Sequence, residues 1–62
     1  MSDLVTVEEA AAATRLSPAT VRWLISQNRF APSAKIGRRR MFRRAELTAW
    51  IDQQFEAARE SA

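Results

Sequence analysis

The 62-residue sequence predicts a small α+β domain, mostly helical, with three helices and one two-stranded β-hairpin. Three observations carry that expectation. Helix-start signals stand at Thr6 and Ser17, apolar residues recur at helical spacing after them and again from Leu47, and the only glycine, Gly37, divides two short strand-like segments. A chain this short buries only about 60% of its unfolded surface, so a single domain over residues 1–62, with one compact core, is expected.

The first helix is expected over about 7–14. In "TVEEAAAATRL", Thr6 followed three residues later by Glu9 has the spacing of a capping box, and the alanines favour helix. Glu8 and Glu9 also complement the positive end of the helix dipole. A catalytic acid/base role for the two glutamates has no basic or nucleophilic partner nearby in sequence. The helix ends near Arg15 and Leu16, and "SPATVRWLISQN" begins another, over about 18–27. Ser17 suits the N-cap, Pro18 the first helical position, and Asn28 the left-handed conformation that closes a helix. Two short helices joined by a turn of two or three residues have the outline of a helix-turn-helix.

In the second helix Val21, Leu24 and Ile25 form one apolar stripe that must face the core. Ala19, Arg22, Trp23 and Ser26 then occupy the opposite face, with Thr20 and Gln27 on its flanks. In the connector "RFAPS", Phe30 plugs the core and Pro32 stops further helix. "AKIGRRRMF" reads as a hairpin over about 34–42, with Ala34 to Ile36 pairing Arg40 to Phe42 around a turn at Gly37, Arg38 and Arg39. Ile36 and Phe42 are expected to point inward. The last helix is expected over about 44–60, with Leu47, Trp50, Ile51, Phe55 and Ala58 on one face and Trp50 in the core.

Cysteine and histidine are both absent, which excludes disulfides, thiolate nucleophiles, imidazole bases and the usual zinc ligands. No nucleophile, base and orienting residue assemble at workable spacing, so neither an enzyme nor a cofactor is expected. No apolar run approaches the roughly 20 residues of a membrane span, and the N-terminus lacks the basic and apolar regions of a signal peptide. The chain therefore reads as soluble and cytoplasmic.

The net charge of +3 conceals a segregated distribution. Residues 1–16 carry a net −2 and residues 45–62 a net −3, whereas 17–44 hold eight cations and no acid. Six of them fall within "KIGRRRMFRR". Such segregation costs self-repulsion unless a polyanion meets it. Nine of the ten cations are arginine, a bias that suits bidentate phosphate and base-edge contacts and that a GC-rich genome also produces. The exposed face of the second helix is then a candidate DNA surface, with small Ala19 and Thr20 allowing close approach to base edges beside Arg22. Trp23 either packs sideways against the hairpin or another helix, or sets its ring on a DNA backbone. Arg43 and Arg44 occupy a helix start that normally favours Ser, Thr or Asp, where cations oppose the dipole and a phosphate would satisfy them.

From Leu4 to Ile51, the stretches "TVEEAA", "SPATVRWLI", "KIGRR" and "RAELTAWI", in that order and spacing, resemble the small winged helix-turn-helix domains shared by phage excisionases, AlpA-type regulators and, more distantly, MerR-type DNA-binding domains. The resemblance implies a recognition helix in the major groove and a wing on the adjacent minor groove or backbone. It assigns groove contacts to Ser17, Ala19, Thr20, Arg22 and Trp23, joined on that face by Ser26. Wing contacts fall to Lys35, Arg38, Arg39 and Arg40, around Gly37, with Arg43 and Arg44 meeting phosphates. The sequence departs from the family pattern at Arg40, where an aromatic is usual, at Met41, where arginine is, and at Arg43, where proline is.

By that resemblance the expected function is that of an excisionase, or recombination directionality factor. Such a protein binds repeated sites in a phage attachment region, bends the DNA and directs a tyrosine integrase toward excision, in a bacterial host cell. Only about ten residues follow Ile51, which leaves no room for a sensor domain. The charge segregation also allows head-to-tail self-association on DNA. An AlpA-type transcriptional regulator is the alternative, and a basic protein-interaction module such as an antitoxin is a third reading of a different class.

Overall fold

A computed structural model describes residues 3–61, with side chains as far as Arg59; residues 1, 2 and 62 of the expected span lie outside it. The elements run β1 (Leu4–Thr6), α1 (Val7–Thr14), α2 (Pro18–Ser26), β2 (Ser33–Ile36), β3 (Arg39–Arg43) and α3 (Arg44–Ser61). Three helices and an antiparallel sheet form a small α+β fold compatible with a winged helix-turn-helix.

The wing has three strands, not the two expected from sequence. The sheet order is β1-β3-β2, so β3 is central and paired on both sides. Val5 lies opposite Phe42 on one side and Ser33 opposite the same Phe42 on the other. The N-terminal strand thus closes the far edge of the hairpin, and an Arg44 N–H donated to the Asp3 carbonyl at 2.8 Å continues that pairing into the start of α3.

Between β2 and β3 the turn holds two residues, Gly37 and Arg38; Arg39 already belongs to the strand, opposite Ile36. Gly37 has φ 63, in the left-handed region that favours glycine. This register corrects the expected orientation of Ile36. Side chains alternate along a strand, so Ile36 shares the face of Arg39 and Met41 and is 53% exposed, while Phe42 on the other face is fully buried.

Local chemistry accounts for the helices. Thr6 and Glu9 form the capping box: the Glu9 N–H donates to Thr6 Oγ1 at 3.1 Å and the Thr6 N–H donates to Glu9 Oε1 at 2.9 Å. α1 ends at Arg15, which takes the left-handed conformation at φ 62, and the Leu16 N–H returns to the Ala11 carbonyl at 2.9 Å. Ser17 caps α2 by accepting the Thr20 N–H at 3.1 Å, with Pro18 at the first helical position. α2 stops at Ser26 rather than at 27, and Asn28 follows in the left-handed conformation at φ 57.

Val5, Val7, Ala10, Ala11, Val21, Ala31, Phe42 and Leu47 form the core, with Ile25, Phe30, Trp50 and Ile51 half-buried around it. Phe30 meets Phe42 edge to face at 5.4 Å and Trp50 at 4.6 Å, joining the wing, the connector and α3. Full burial of side chains such as Val21 and Phe42 stabilises the fold by about 1.5–3 kcal/mol each.

Two expected core positions are corrected. Phe55 is 65% exposed and Ala58 is also exposed, because α3 runs for 18 residues, about 27 Å at 1.5 Å per residue, and outreaches the body it packs on. In α2 only Val21 is fully buried; Leu24 and Ile25 lie at the core margin.

Candidate nucleic-acid interface

The outward face of α2 follows from the burial of Val21 on its other side. Ala19, Thr20, Arg22, Trp23 and Ser26 are all exposed, as is the cap residue Ser17. The Trp23 ring is 55% exposed, so the side chain stands largely in solvent and does not pack into the domain. The polar groups of this face are internally ordered. The Ser17 and Thr20 hydroxyls are hydrogen-bonded to each other at 2.9 Å, and the Ser26 hydroxyl donates to the Trp23 carbonyl at 2.6 Å.

Beside this face lies a cleft of about 180 Å³ lined by Thr6, Val7, Glu8, Arg22, Arg38, Arg39 and Arg40. It draws α1, α2 and the wing together around four arginines. Four arginines against the one acid, Glu8, leave the lining net positive, and the planar donor forks of arginine match phosphate oxygens.

Other predicted cations lie apart from that cleft. Lys35 is exposed on β2 opposite Arg40. Arg43 borders a hollow on the outer side of the sheet with Leu4, Ala34, Ile36, Met41 and Glu46. Arg44 is exposed at the first position of α3, but its backbone amide is already bonded to Asp3, so that amide is not available to a phosphate. Arg40 also differs from a freely extended wing arginine. It is half-buried on the Phe42 face of the sheet, and its Nη1 donates to Ser33 Oγ at 2.9 Å. Arg40 thus lines the cleft with part of its side chain while its guanidinium is held at Ser33, which borders a second hollow with Ile25, Asn28, Phe30, Ala31 and Pro32.

Sequence reasoning gave Glu8 only a helix-dipole role. Its Oε2 accepts a hydrogen bond from Arg22 Nη2 at 2.8 Å, linking α1 to the exposed face of α2. A signal for this was present. Only Glu9 has the spacing to close the capping box on Thr6, which leaves Glu8 free for another partner. The Glu8 carboxyl is held below its ordinary value of 4.5 by its own backbone N–H first, then by the hydrogen bond and charge of Arg22, with Arg39 adding; slight burial opposes them. The Glu9 carboxyl is also held low, by the Thr6 backbone N–H first and then the Thr6 side chain, with Arg44 and Arg39 beyond.

The architecture and its basic, solvent-facing helix agree with comparison to known families. A helix-turn-helix domain model matches residues 4–54, most of the chain. The chain belongs to the helix-turn-helix domain family. It is accordingly a small DNA-binding helix-turn-helix protein, with α2 in the position of the second helix of the motif. Neither the curated proteins nor the solved structures give a significant match. Among the described residues, no helix is long and apolar enough to cross a membrane.

Proposed function

We propose that this helix-turn-helix protein is an excisionase: a non-catalytic, sequence-specific DNA-binding protein that occupies repeated sites in a phage attachment region, bends the duplex and directs a tyrosine integrase toward excision. It acts on DNA in the cytoplasm of a bacterial host cell. The observation that carries the DNA-contact part of this reading is the cleft that gathers Arg22, Arg38, Arg39 and Arg40 beside the exposed face of α2. Ser17, Ala19, Thr20, Arg22, Trp23 and Ser26 meet the major groove. The turn at Gly37 carries Arg38 and Arg39 to the neighbouring backbone or minor groove, and Lys35, Arg40, Arg43 and Arg44 add phosphate contacts.

One module of this size makes a small interface, so useful affinity calls for neighbours bound side by side. The charge layout supports such an array. Asp52 at the middle of α3 and, beyond it, Glu56, which is paired with Arg59 at 3.3 Å, are exposed and opposite in sign to the wing of an adjacent copy, which favours head-to-tail contact on repeated sites.

The test is a gel-shift titration on attachment-site DNA of the encoding element, beside a promoter fragment and a scrambled duplex. A cooperative ladder confined to attachment-site DNA is expected. A single promoter-selective complex would assign the chain to the AlpA-type regulators instead, and tight binding to an acidic protein with no duplex binding at low salt would replace DNA by a protein partner.

A further inference from the structure

The cleft beside α2 is basic except at one point. Four of its seven lining residues are arginines, and the single acid, Glu8, sits among them. A carboxylate in the middle of a phosphate-binding surface weakens attraction for every polyanion, so its presence calls for a compensating role. The capping box is closed by Glu9, and the part Glu8 plays at the helix start, toward its own backbone N–H and the dipole, does not call for the contact with Arg22. Nor does the ion pair add much to fold stability, because the Arg22 and Glu8 side chains are 59% and 58% exposed and ion pairs at that exposure contribute little.

The geometry points to another use. The Arg22 guanidinium is planar and carries five N–H donors, of which Glu8 engages Nη2 at 2.8 Å from the α1 side. That contact restricts the rotation of a long side chain and leaves the remaining donors without a hydrogen-bonded partner among the described residues. A guanine in the major groove presents O6 and N7, the acceptor pair that such a free edge matches bidentately.

We propose that Glu8 is a specificity-determining positioning residue: it holds Arg22 from the α1 side so that the free edge of the guanidinium meets one guanine, and it cancels the charge that would otherwise bind any phosphate. This inference rests on the DNA-binding reading above. On a correct site the guanine completes the hydrogen bonding of a guanidinium already in place. On a wrong site the Arg22–Glu8 pair is electrically neutral and gains little from the backbone. Discrimination is a difference of two affinities, and Glu8 acts by lowering the unwanted one.

The experiment compares the 62-residue chain with Glu8→Gln, Glu8→Asp, Arg22→Ala and the Glu8→Gln/Arg22→Ala pair. Each is selected on a randomised duplex pool and titrated on one scrambled duplex over a series of salt concentrations. Glu8→Gln is expected to bind the scrambled duplex several-fold more tightly and to steepen its log affinity against log salt by about 0.9, one more phosphate neutralised. Its preference for guanine at one position should fall by about fivefold or more. Glu8→Asp should restore part of that preference, and in the Arg22→Ala background Glu8→Gln should alter no base preference. Thermal melts of all variants separate these effects from a loss of fold.

If Glu8→Gln tightens selected and scrambled duplexes equally with base preference intact, Glu8 is simple repulsion and the proposal is overturned. Absence of salt-dependent duplex binding by the unmodified chain overturns the DNA reading itself, a distinct result.

Discussion

Phe42 and Phe55 are chemically identical, and the structure gives them opposite fates. Phe42 is fully buried on β3, the central strand of the sheet, with Val5 and Ser33 as its cross-strand neighbours and the Phe30 ring at 5.4 Å. Truncating a buried phenylalanine to alanine removes its transfer free energy and leaves a cavity, together about 3–5 kcal/mol. A domain is stable by roughly 0.05–0.15 kcal/mol per residue, or about 3–9 kcal/mol at this length. Phe42→Ala therefore removes between a third and all of the stability. Phe55→Ala acts on a side chain 65% exposed on the α3 overhang and should shift stability by only about 0.5 kcal/mol. Urea unfolding followed by far-UV circular dichroism separates the two, the first variant destabilised by about 3–5 kcal/mol and the second close to the parent. A Phe42→Ala protein that unfolds cooperatively within about 1 kcal/mol of the parent would refute the placement of that ring at the junction of sheet and helices.

Further outcomes follow from the same geometry. With about five phosphates neutralised, log affinity for duplex DNA should fall against log salt with a slope of about −4.5; Arg39→Ala should make the slope shallower by about 0.9 and weaken all sequences alike, whereas Arg22→Ala should also relax base preference. Thr6→Ala removes the cap of α1 and should cost about 1 kcal/mol in urea unfolding. Because the Glu8 and Glu9 carboxyls are held low in the folded state, their contribution to stability is complete above their ordinary value of 4.5 and is lost as pH falls below it; the unfolding midpoint should drop through that acid range, less steeply in Glu9→Gln. At Gly37 an added Cβ meets nothing within 4 Å, so the cost of Gly37→Ala is that of the left-handed backbone alone, about 1–2 kcal/mol by thermal melting.

Signals confined to a few adjacent residues were legible in the sequence. Thr6 with Glu9, Ser17 with Pro18, and Asn28 each announce a helix end through chemistry within three or four positions, and the structure has those ends. Features that depend on distant pairing were not legible. β1 is three residues long, too short to show alternation, and Val5 finds its partner at Phe42, far along the chain. The inward placing of Ile36 assumed a three-residue turn. A two-residue turn shifts the register by one and reverses the face, so Ile36 lies outside with Met41.

Helical spacing likewise put Phe55 in line with Leu47 and Ile51 but carries no information on where the body beneath α3 ends. In the candidate site, the exposed face of α2 could be read once Val21 was recognised as core. The Arg22–Glu8 contact spans fourteen residues and depends on how α1 and α2 cross.

The two tryptophans occupy contrasting surroundings, and the chain contains no tyrosine. Trp50 is half-buried against Phe30 in the packed interior, whereas Trp23 stands in water on the outer face of α2. Intrinsic fluorescence consequently has two independent sources. With Trp23 replaced by Phe, the remaining emission follows the melting of the core; with Trp50 replaced, it follows whatever approaches the outer face of α2. Loss of structure and arrival of a partner can thus be observed optically on the same small chain, without an attached dye.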